Sequence, residues 1–209
     1  MKRILIVAAL FVLGTGITSR AADANSTNAL VWCGLDYSMV KMIGKDDFRQ
    51  PYNIFPEMLV TWNWLFLKEF LPKLESKLPI KSGGEFIYFL NEKANASQII
   101  REDGTREEMV TPSHITEADI AKTVQSYDLK DNQGIGLVFI MDRLVRAQEV
   151  GCLYIVFFDV SSRKVLYSER VIAKAGGAGF RNYWFNPIKI AADQVPKMYR
   201  KAKRAKTNG

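Results

Sequence analysis

The chain reads GLVFIMDRLVRAQEVGCLYIVFFDVSSRKVLYSERVIAKA at residues 136–175. This run contains three apolar, strand-like stretches, and only short joints at 149–151 and 161–163 separate them. Connections this short join antiparallel neighbours, so the run predicts a three-stranded meander. The unbroken apolar segment LYIVFF, at 153–158, is typical of a central strand that is covered on both faces.

Strand-like and helix-like segments alternate upstream of the meander. A first strand is predicted from Leu30 to about Ile43, and a second near Glu85–Asn91. Between them, apolar residues recur at spacings of three and four from residue 60 to residue 78, which indicates a helix. Pro56 suits the first turn of this helix, and Pro72 should kink or restart it.

Two further helices are predicted around the meander. Thr116 and Asp119 form a capping-box pattern, which places a helix start just before the meander. After the meander, Asn186 with Pro187 resembles a cap and first turn, with a kink expected at Pro196. The buried stripe of this last helix is predicted to consist of Ile188, Ala191, Val195, Tyr199 and Ala202.

The resulting element order is β-α-β-α-β-β-β-α. It predicts one α/β (or α+β) domain over residues 25–196, with a mixed five-stranded sheet that ends in the meander and about three packing helices. No internal repeat or long linker divides the chain.

The N-terminus predicts export. Lys2 and Arg3 precede an apolar run to about Ile17, and Ala22 with Ala24 gives the small-residue spacing of a cleavage site. Residues 1–24 are therefore interpreted as a signal peptide, which implies a periplasmic or extracellular address. The apolar run is shorter than the ~20 residues that a membrane-spanning helix needs.

The positive charge of the chain is concentrated at its C-terminus. Residues 1–24 hold three of the 29 basic and one of the 22 acidic side chains, and residues 197–209 hold six basic and no acidic ones. The remaining body has 20 basic and 21 acidic side chains, which argues against nucleic-acid binding. The segment 197–209 is interpreted as a basic tail, either a solvated helix end or a contact for anionic lipid or polymer.

Two cysteines, Cys33 and Cys152, lie in strand-like runs. An exported compartment permits a disulfide between them if their strands are neighbours, and free buried thiols are the alternative. The chain has a single histidine, His114, and no paired-cysteine spacing, so we expect no metal site and no cofactor.

The segment Arg181–Asn182–Tyr183–Trp184 is the strongest candidate for ligand or partner binding. Arginine offers a planar set of donors and the aromatic rings offer stacking faces, a combination that can grip a sugar or an anionic group. The alternative is a strand-to-helix corner in which the same side chains pack.

Two other classes of function stay open. An enzyme acting on an envelope polymer would use two converging carboxylates among Asp36, Asp142, Asp159 and Glu169. A small-molecule carrier would need an apolar pocket, with Trp62, Trp64 and Phe66 as its candidate lining. No nucleophile motif is present, and no residue is assigned a catalytic role.

Three segments carry a resemblance to a family: GLDYSMVKMIG, TWNWLFLKE and FFDVSSRKVLYSERVIAKAGGAGFRNYW. They resemble small exported proteins of Bacteroidetes-type bacteria that carry no assigned activity. The resemblance implies an envelope address and no catalytic residues. Together with the residues themselves, it favours a non-catalytic binding or accessory module whose partner is an envelope protein or a glycan.

Overall fold

The structure, a computed structural model, describes residues 29–44, 48, 54–82, 98–100, 113–129 and 132–208. The predicted signal peptide and the strand predicted near Glu85–Asn91 lie outside these residues. No helix in the described ranges is both long and apolar enough to cross a bilayer.

The predicted meander is confirmed. It consists of β5 (Ile135–Val145), β6 (Val150–Asp159) and β7 (Val165–Lys174), which pair antiparallel in that order. The LYIVFF segment lies in β6, between the other two strands, and both faces of β6 are largely buried. Its apolar character therefore reflects cover on both sides of the sheet.

The first predicted strand is divided into two. β1 (Leu30–Asp36) and β2 (Lys41–Ile43) both run parallel to β5 and lie end to end along it. The interruption begins at Asp36, whose Oδ1 accepts the backbone N–H of Ser38 at 2.8 Å. Such a contact closes a local turn and ends the strand, which hydrophobic pattern alone does not reveal.

Two short strands complete the sheet. β3 (Ile80–Ser82) runs parallel to β1, and β4 (Ile99–Ile100) runs parallel to β2. The seven strands formed by the described residues thus occupy five lateral positions, because two of these positions hold two strands end to end. The fold is the predicted single-domain α+β arrangement with a mixed five-stranded sheet.

The first helix restarts where proline was expected to interrupt it. α1 (Glu57–Leu65) continues through a π-helical turn, Phe66–Phe70, into α2 (Leu71–Glu75). Pro72 lies in the first turn of α2. Proline has no N–H to donate to the preceding turn, and the wider π turn precedes this position.

The capping box of α3 (Glu117–Gln125) is confirmed. The Thr116 side chain accepts the backbone N–H of Asp119, and the Asp119 carboxylate accepts the backbone N–H of Thr116. Ile115 and Ile120, which flank the cap, are both buried, as a hydrophobic staple requires.

The predicted start of the last helix is wrong. α4 (Gly179–Ala192) begins seven residues before Asn186, and Pro187 lies in its interior. Proline there leaves the carbonyl of Tyr183 without its helical donor, and the backbone N–H of Gly176 supplies a donor at 3.0 Å. This hydrogen bond, donated by a residue outside the helix, satisfies the Tyr183 carbonyl, and the helix continues beyond Pro187.

α5 (Val195–Asn208) follows a break at residues 193 and 194, with Pro196 in its first turn, so the expected kink is confirmed. All five residues of the predicted stripe are buried.

The segment 197–208, predicted to be a tail, is part of α5 and packs on the domain through Met198, Tyr199 and Ala202. Apolar residues keep their helical spacing within the basic sequence, so this part of α5 also packs on the domain.

The sheet has two unlike faces. Helices α1, α2, α4 and α5 cover one face, here named the aromatic face, where rings such as Trp32, Phe66 and Phe139 pack together. Helix α3 covers the other, here named the α3 face, where Val31, Val138 and their neighbours form a smaller cluster.

Candidate functional site

The residues predicted as a binding site, Arg181 to Trp184, lie on the first turns of α4 rather than in a corner. Trp184 is 1% exposed, and its ring packs on that of Phe48 at 5.3 Å between centroids. The indole of Trp184 is therefore unavailable to a ligand.

Arg181, Asn182 and Tyr183 make hydrogen bonds within the protein. Tyr183 accepts a hydrogen bond from Arg146 at 2.6 Å, and the same guanidinium lies over its ring. The backbone carbonyl of Arg181 accepts the indole N–H of Trp62 at 2.9 Å, and Asn182 donates to the carbonyl of residue 178. Arg181 Nε also donates to Asn182 Oδ1 at 3.2 Å, and both side chains are exposed, whereas Trp184 is buried, so the four side chains do not form one exposed site.

Cys33 and Cys152 are free, buried thiols. β5 lies between their strands, so the two backbones are separated by two strand spacings, about 10 Å, whereas a disulfide requires Cα atoms within about 7 Å. Burial raises the pKa of Cys33 to about 12 and that of Cys152 to about 11. The disulfide that we considered is therefore absent, and both thiols are poor nucleophiles.

Of the four strand carboxylates, Asp36 is the one that ends β1. It is 1% exposed and accepts the hydroxyl of Tyr127 at 2.5 Å and the Ser38 backbone N–H. This carboxylate anchors the segment after α3 to the sheet.

Asp142 forms the centre of a buried ionic cluster. Its Oδ2 accepts hydrogen bonds from the Arg170 guanidinium at 2.5 and 2.8 Å, and its Oδ1 lies 2.9 Å from His114 Nδ1 and 3.3 Å from Arg143 Nε. Burial opposes ionisation of this carboxyl, but His114 and Arg170 outweigh it and lower the pKa of Asp142. The residue sits where the β5–β6 register shifts, which turns it towards these partners.

His114, the single histidine of the chain, joins this cluster. Its Nε2 lies 2.9 Å from the carbonyl of Met39, in the interruption between β1 and β2. Both ring nitrogens thus face acceptors, and the ring connects the loop before α3 to β5 and to the interruption between β1 and β2. A charged residue at position 142 within an apolar strand was the one sequence signal of this cluster.

The remaining two carboxylates have partners of their own. Asp159 accepts the backbone N–H groups of Ser161 and Ser162 and pairs with Lys206 at 2.9 Å. Glu169 accepts the hydroxyl of Tyr167 and pairs with Lys201. In the described part of the chain, no group of three or more potential metal ligands forms.

The lining proposed for a carrier pocket is close-packed. Trp62 is 1% exposed and stacks between Tyr37 and Phe180, and Phe66 stacks on Trp32 at 4.1 Å. Trp64, in contrast, is 51% exposed on α1. Trp62 and Phe66 thus lie in the core while Trp64 faces outward, so within the described residues the three do not share one lining.

A groove of about 590 Å³ lies between α3 and the start of β7. Its walls are Ala121 and Gln125 on α3, the turn residues Arg163 and Lys164, and the first residues of β7. Sequence reasoning missed this groove because its two walls are more than thirty residues apart in the chain.

β7 lies at the edge of the described sheet, next to this groove. Among the described residues it pairs only with β6, and Ala175 donates to the Glu149 carbonyl at one end of this ladder. Hydrogen-bonded pairs recur at every second residue of an antiparallel ladder, so the N–H and C=O groups of Ser168 and Ile172 point away from β6. This row is a template for a further strand.

No family model, curated protein or solved structure matches the chain.

Proposed function

We propose that this protein is an exported, non-catalytic binding module of the bacterial envelope, and that an extended peptide segment of a partner protein adds to the edge of β7. The observation that carries the proposal is the pair of outward-facing backbone positions at Ser168 and Ile172, beside an open groove. An edge strand flanked by a helix suits this mode of recognition, in which the main chain supplies affinity and the groove supplies specificity.

The groove lining indicates the chemistry of the peptide. Arg163 and Lys164 outnumber the one acidic residue of the lining, Glu117, so an acidic side chain is expected beside these two cations. Along the groove, Ala121 and Val165 are half-buried, which favours small apolar side chains at alternate positions of the peptide.

The strand carboxylates support a non-catalytic role. Asp36, Asp142, Asp159 and Glu169 are each held by different donors or cations. A pair of catalytic carboxylates would instead share one cleft, about 5–10 Å apart, with room for substrate between them.

Selection of peptides tests the proposal. A displayed library of random decapeptides would be selected on the purified chain, and the enriched peptides would be titrated into three proteins: wild type, Ser168→Pro and Ser168→Ala. Proline removes an outward N–H that the β6 ladder does not use, whereas alanine keeps it. We expect Ser168→Pro to weaken binding by about ten-fold or more and Ser168→Ala to bind like wild type.

A second variant tests the groove independently, so the proposal can still be refuted if Ser168→Pro does not fold. Ala121→Arg would fill the groove from α3, and the exposed neighbour Lys122→Ala is its control. Loss of binding in Ala121→Arg but not in Lys122→Ala supports the groove. Enrichment of no peptide, or equal binding by all variants that melt cooperatively, would refute the proposal.

Export is tested separately. The chain would be expressed in a bacterial host, and the N-terminus of the protein in the envelope fraction would be read by mass spectrometry. The proposal expects removal of residues 1–21 or 1–24. A cytosolic protein that retains Met1 would contradict export and leave the groove proposal standing.

A further inference from the structure

The outer side of α5 is a dense cationic surface. Lys197, Arg200 and Arg204 recur at spacings of three and four, so they share one side of the helix, with Lys203 beside them. All four are exposed, and α5 contains no acidic residue. Within the described residues, no carboxylate lies within ion-pair distance of these four side chains.

The two other cations of α5 have a different role. Lys201 pairs with Glu169 on β7 at 3.2 Å, and Lys206 pairs with Asp159 at 2.9 Å. These pairs flank the buried stripe and hold the helix on the sheet. The domain therefore uses two lysines for attachment and leaves four cations facing outward.

We infer that this outer side of α5, defined by Lys197, Arg200, Lys203 and Arg204, docks on the anionic headgroup surface of a lipid bilayer. The apolar side of α5 is packed on the sheet through Met198, Tyr199 and Ala202, so the helix does not insert. The contact is electrostatic and peripheral, which makes it sensitive to salt.

The shape of the surface favours a bilayer over a linear polymer. The four cations lie along one side of a helix on the outside of the domain. The one aromatic residue of α5, Tyr199, is buried, so the helix offers no ring on which nucleic-acid bases could stack. A broad anionic surface can meet all four cations at once.

Vesicle co-sedimentation tests the inference. The probes are vesicles of phosphatidylcholine alone and vesicles with about one-third phosphatidylglycerol, each at low and high salt. The key variant changes Lys197, Arg200, Lys203 and Arg204 to Gln. Its control changes four exposed lysines elsewhere to Gln, namely Lys68, Lys73, Lys77 and Lys122, and has the same net charge.

Each basic residue near an anionic bilayer contributes roughly a five-fold gain in affinity, so the key variant should lose about 100-fold or more at low salt. We expect the control variant to stay within about three-fold of wild type, and high salt to release wild type. Equal losses in both variants would overturn the inference, because net charge alone would then explain binding. Tighter binding to soluble polyglutamate than to the anionic vesicles, at equal charge concentration, would also overturn it. These variants leave the α3–β7 groove intact, so failure here is distinguishable from failure of the peptide proposal.

Discussion

The two faces of the sheet are stabilised in different ways. On the aromatic face, helices α1, α2, α4 and α5 bury rings against one another, and Trp32, Phe66 and Phe139 form a close-packed cluster. On the α3 face, the nine-residue helix α3 packs on the sheet, and Asp36 and Asp142 are buried with their partners. Among the described residues this face has the smaller apolar cluster and relies more on polar contacts, and it is also the face that carries the groove beside β7.

The largest effect is expected on the aromatic face. Phe66→Ala would remove a ring that is fully buried and stacked on Trp32, so we expect a loss of about 4 kcal/mol in the free energy of unfolding. Chemical denaturation would measure it. Trp64→Ala, at an exposed position on the same helix, is the control and should change stability by less than about 1 kcal/mol. Similar losses in both variants would contradict the division between core and surface described for α1.

The next largest effect tests the ionic cluster of the α3 face. Asp142→Asn removes a buried charge and breaks the ion pairs of Asp142 with Arg170 and Arg143, so we expect a loss of about 3 kcal/mol near neutral pH. Ser168→Asn, on β7 and outside the cluster, is the control variant for this loss in the free energy of unfolding.

The pH dependence of the stability of Asp142→Asn, compared with wild type, tests the ionic cluster further. The pKa of Asp142 is lowered in the folded protein, whereas an unfolded chain titrates near its ordinary value of about 4. The stabilisation of the folded protein by ionised Asp142 is therefore complete above about pH 4 and is lost as the pH falls through the folded pKa of this residue. The difference between wild type and Asp142→Asn should shrink in this acidic range, and Phe66→Ala should show no such convergence. A difference independent of pH down to strong acid would contradict the assigned ionisation.

A smaller effect is expected at the start of α3. Thr116→Ala removes the side-chain cap of this helix and should lower stability by about 1 kcal/mol. Hydrogen exchange should show faster exchange in the first turn of α3, while α4 stays protected. Thr116→Ser keeps the cap and should behave like wild type. Uniform loss of protection in both helices would mean that α3 does not open by itself.

The smallest effect concerns the two thiols of the α3 face. Burial holds the pKa of Cys33 at about 12 and that of Cys152 at about 11, so neither thiol should be alkylated in the native protein at about pH 8. A reducing agent should shift the melting temperature by less than about 1 °C, and unfolding should release two reactive thiols. Recovery of no thiols from unreduced protein would establish a disulfide and contradict the strand order.

Much of the fold was predictable because its signals are local. The meander followed from apolar runs and short joints, and the capping box from Thr116 and Asp119. The start of α4 was missed because Pro187 suggested a first turn, whereas the backbone N–H of Gly176 satisfies the Tyr183 carbonyl and Pro187 lies inside the helix. The interruption after β1 was missed because hydrophobic spacing does not report the contacts that close this turn, such as Ser38 N–H to Asp36 and Val40 N–H to the Tyr37 carbonyl.

The candidate site was less predictable. Arg181 to Trp184 looked like a ligand-binding set by composition, but the burial of Trp184 depends on how α4 packs. His114 and Asp142 looked isolated in the sequence, and pairing of distant segments brought them to 2.9 Å. Residue type indicates what a side chain can do, whereas its partners decide what it does.

The sequence alone determined the alternation of strands and helices, the mixed sheet with its closing meander, and the concentration of positive charge after residue 196. These properties depend on spacing and composition over a few neighbouring residues. Tertiary structure alone decided that the thiols stay apart, that Asp142 gathers His114 and two arginines, and that the edge of β7 lies beside a groove. Each of these requires residues distant in the chain to meet, and which of them meet is set by strand order and register.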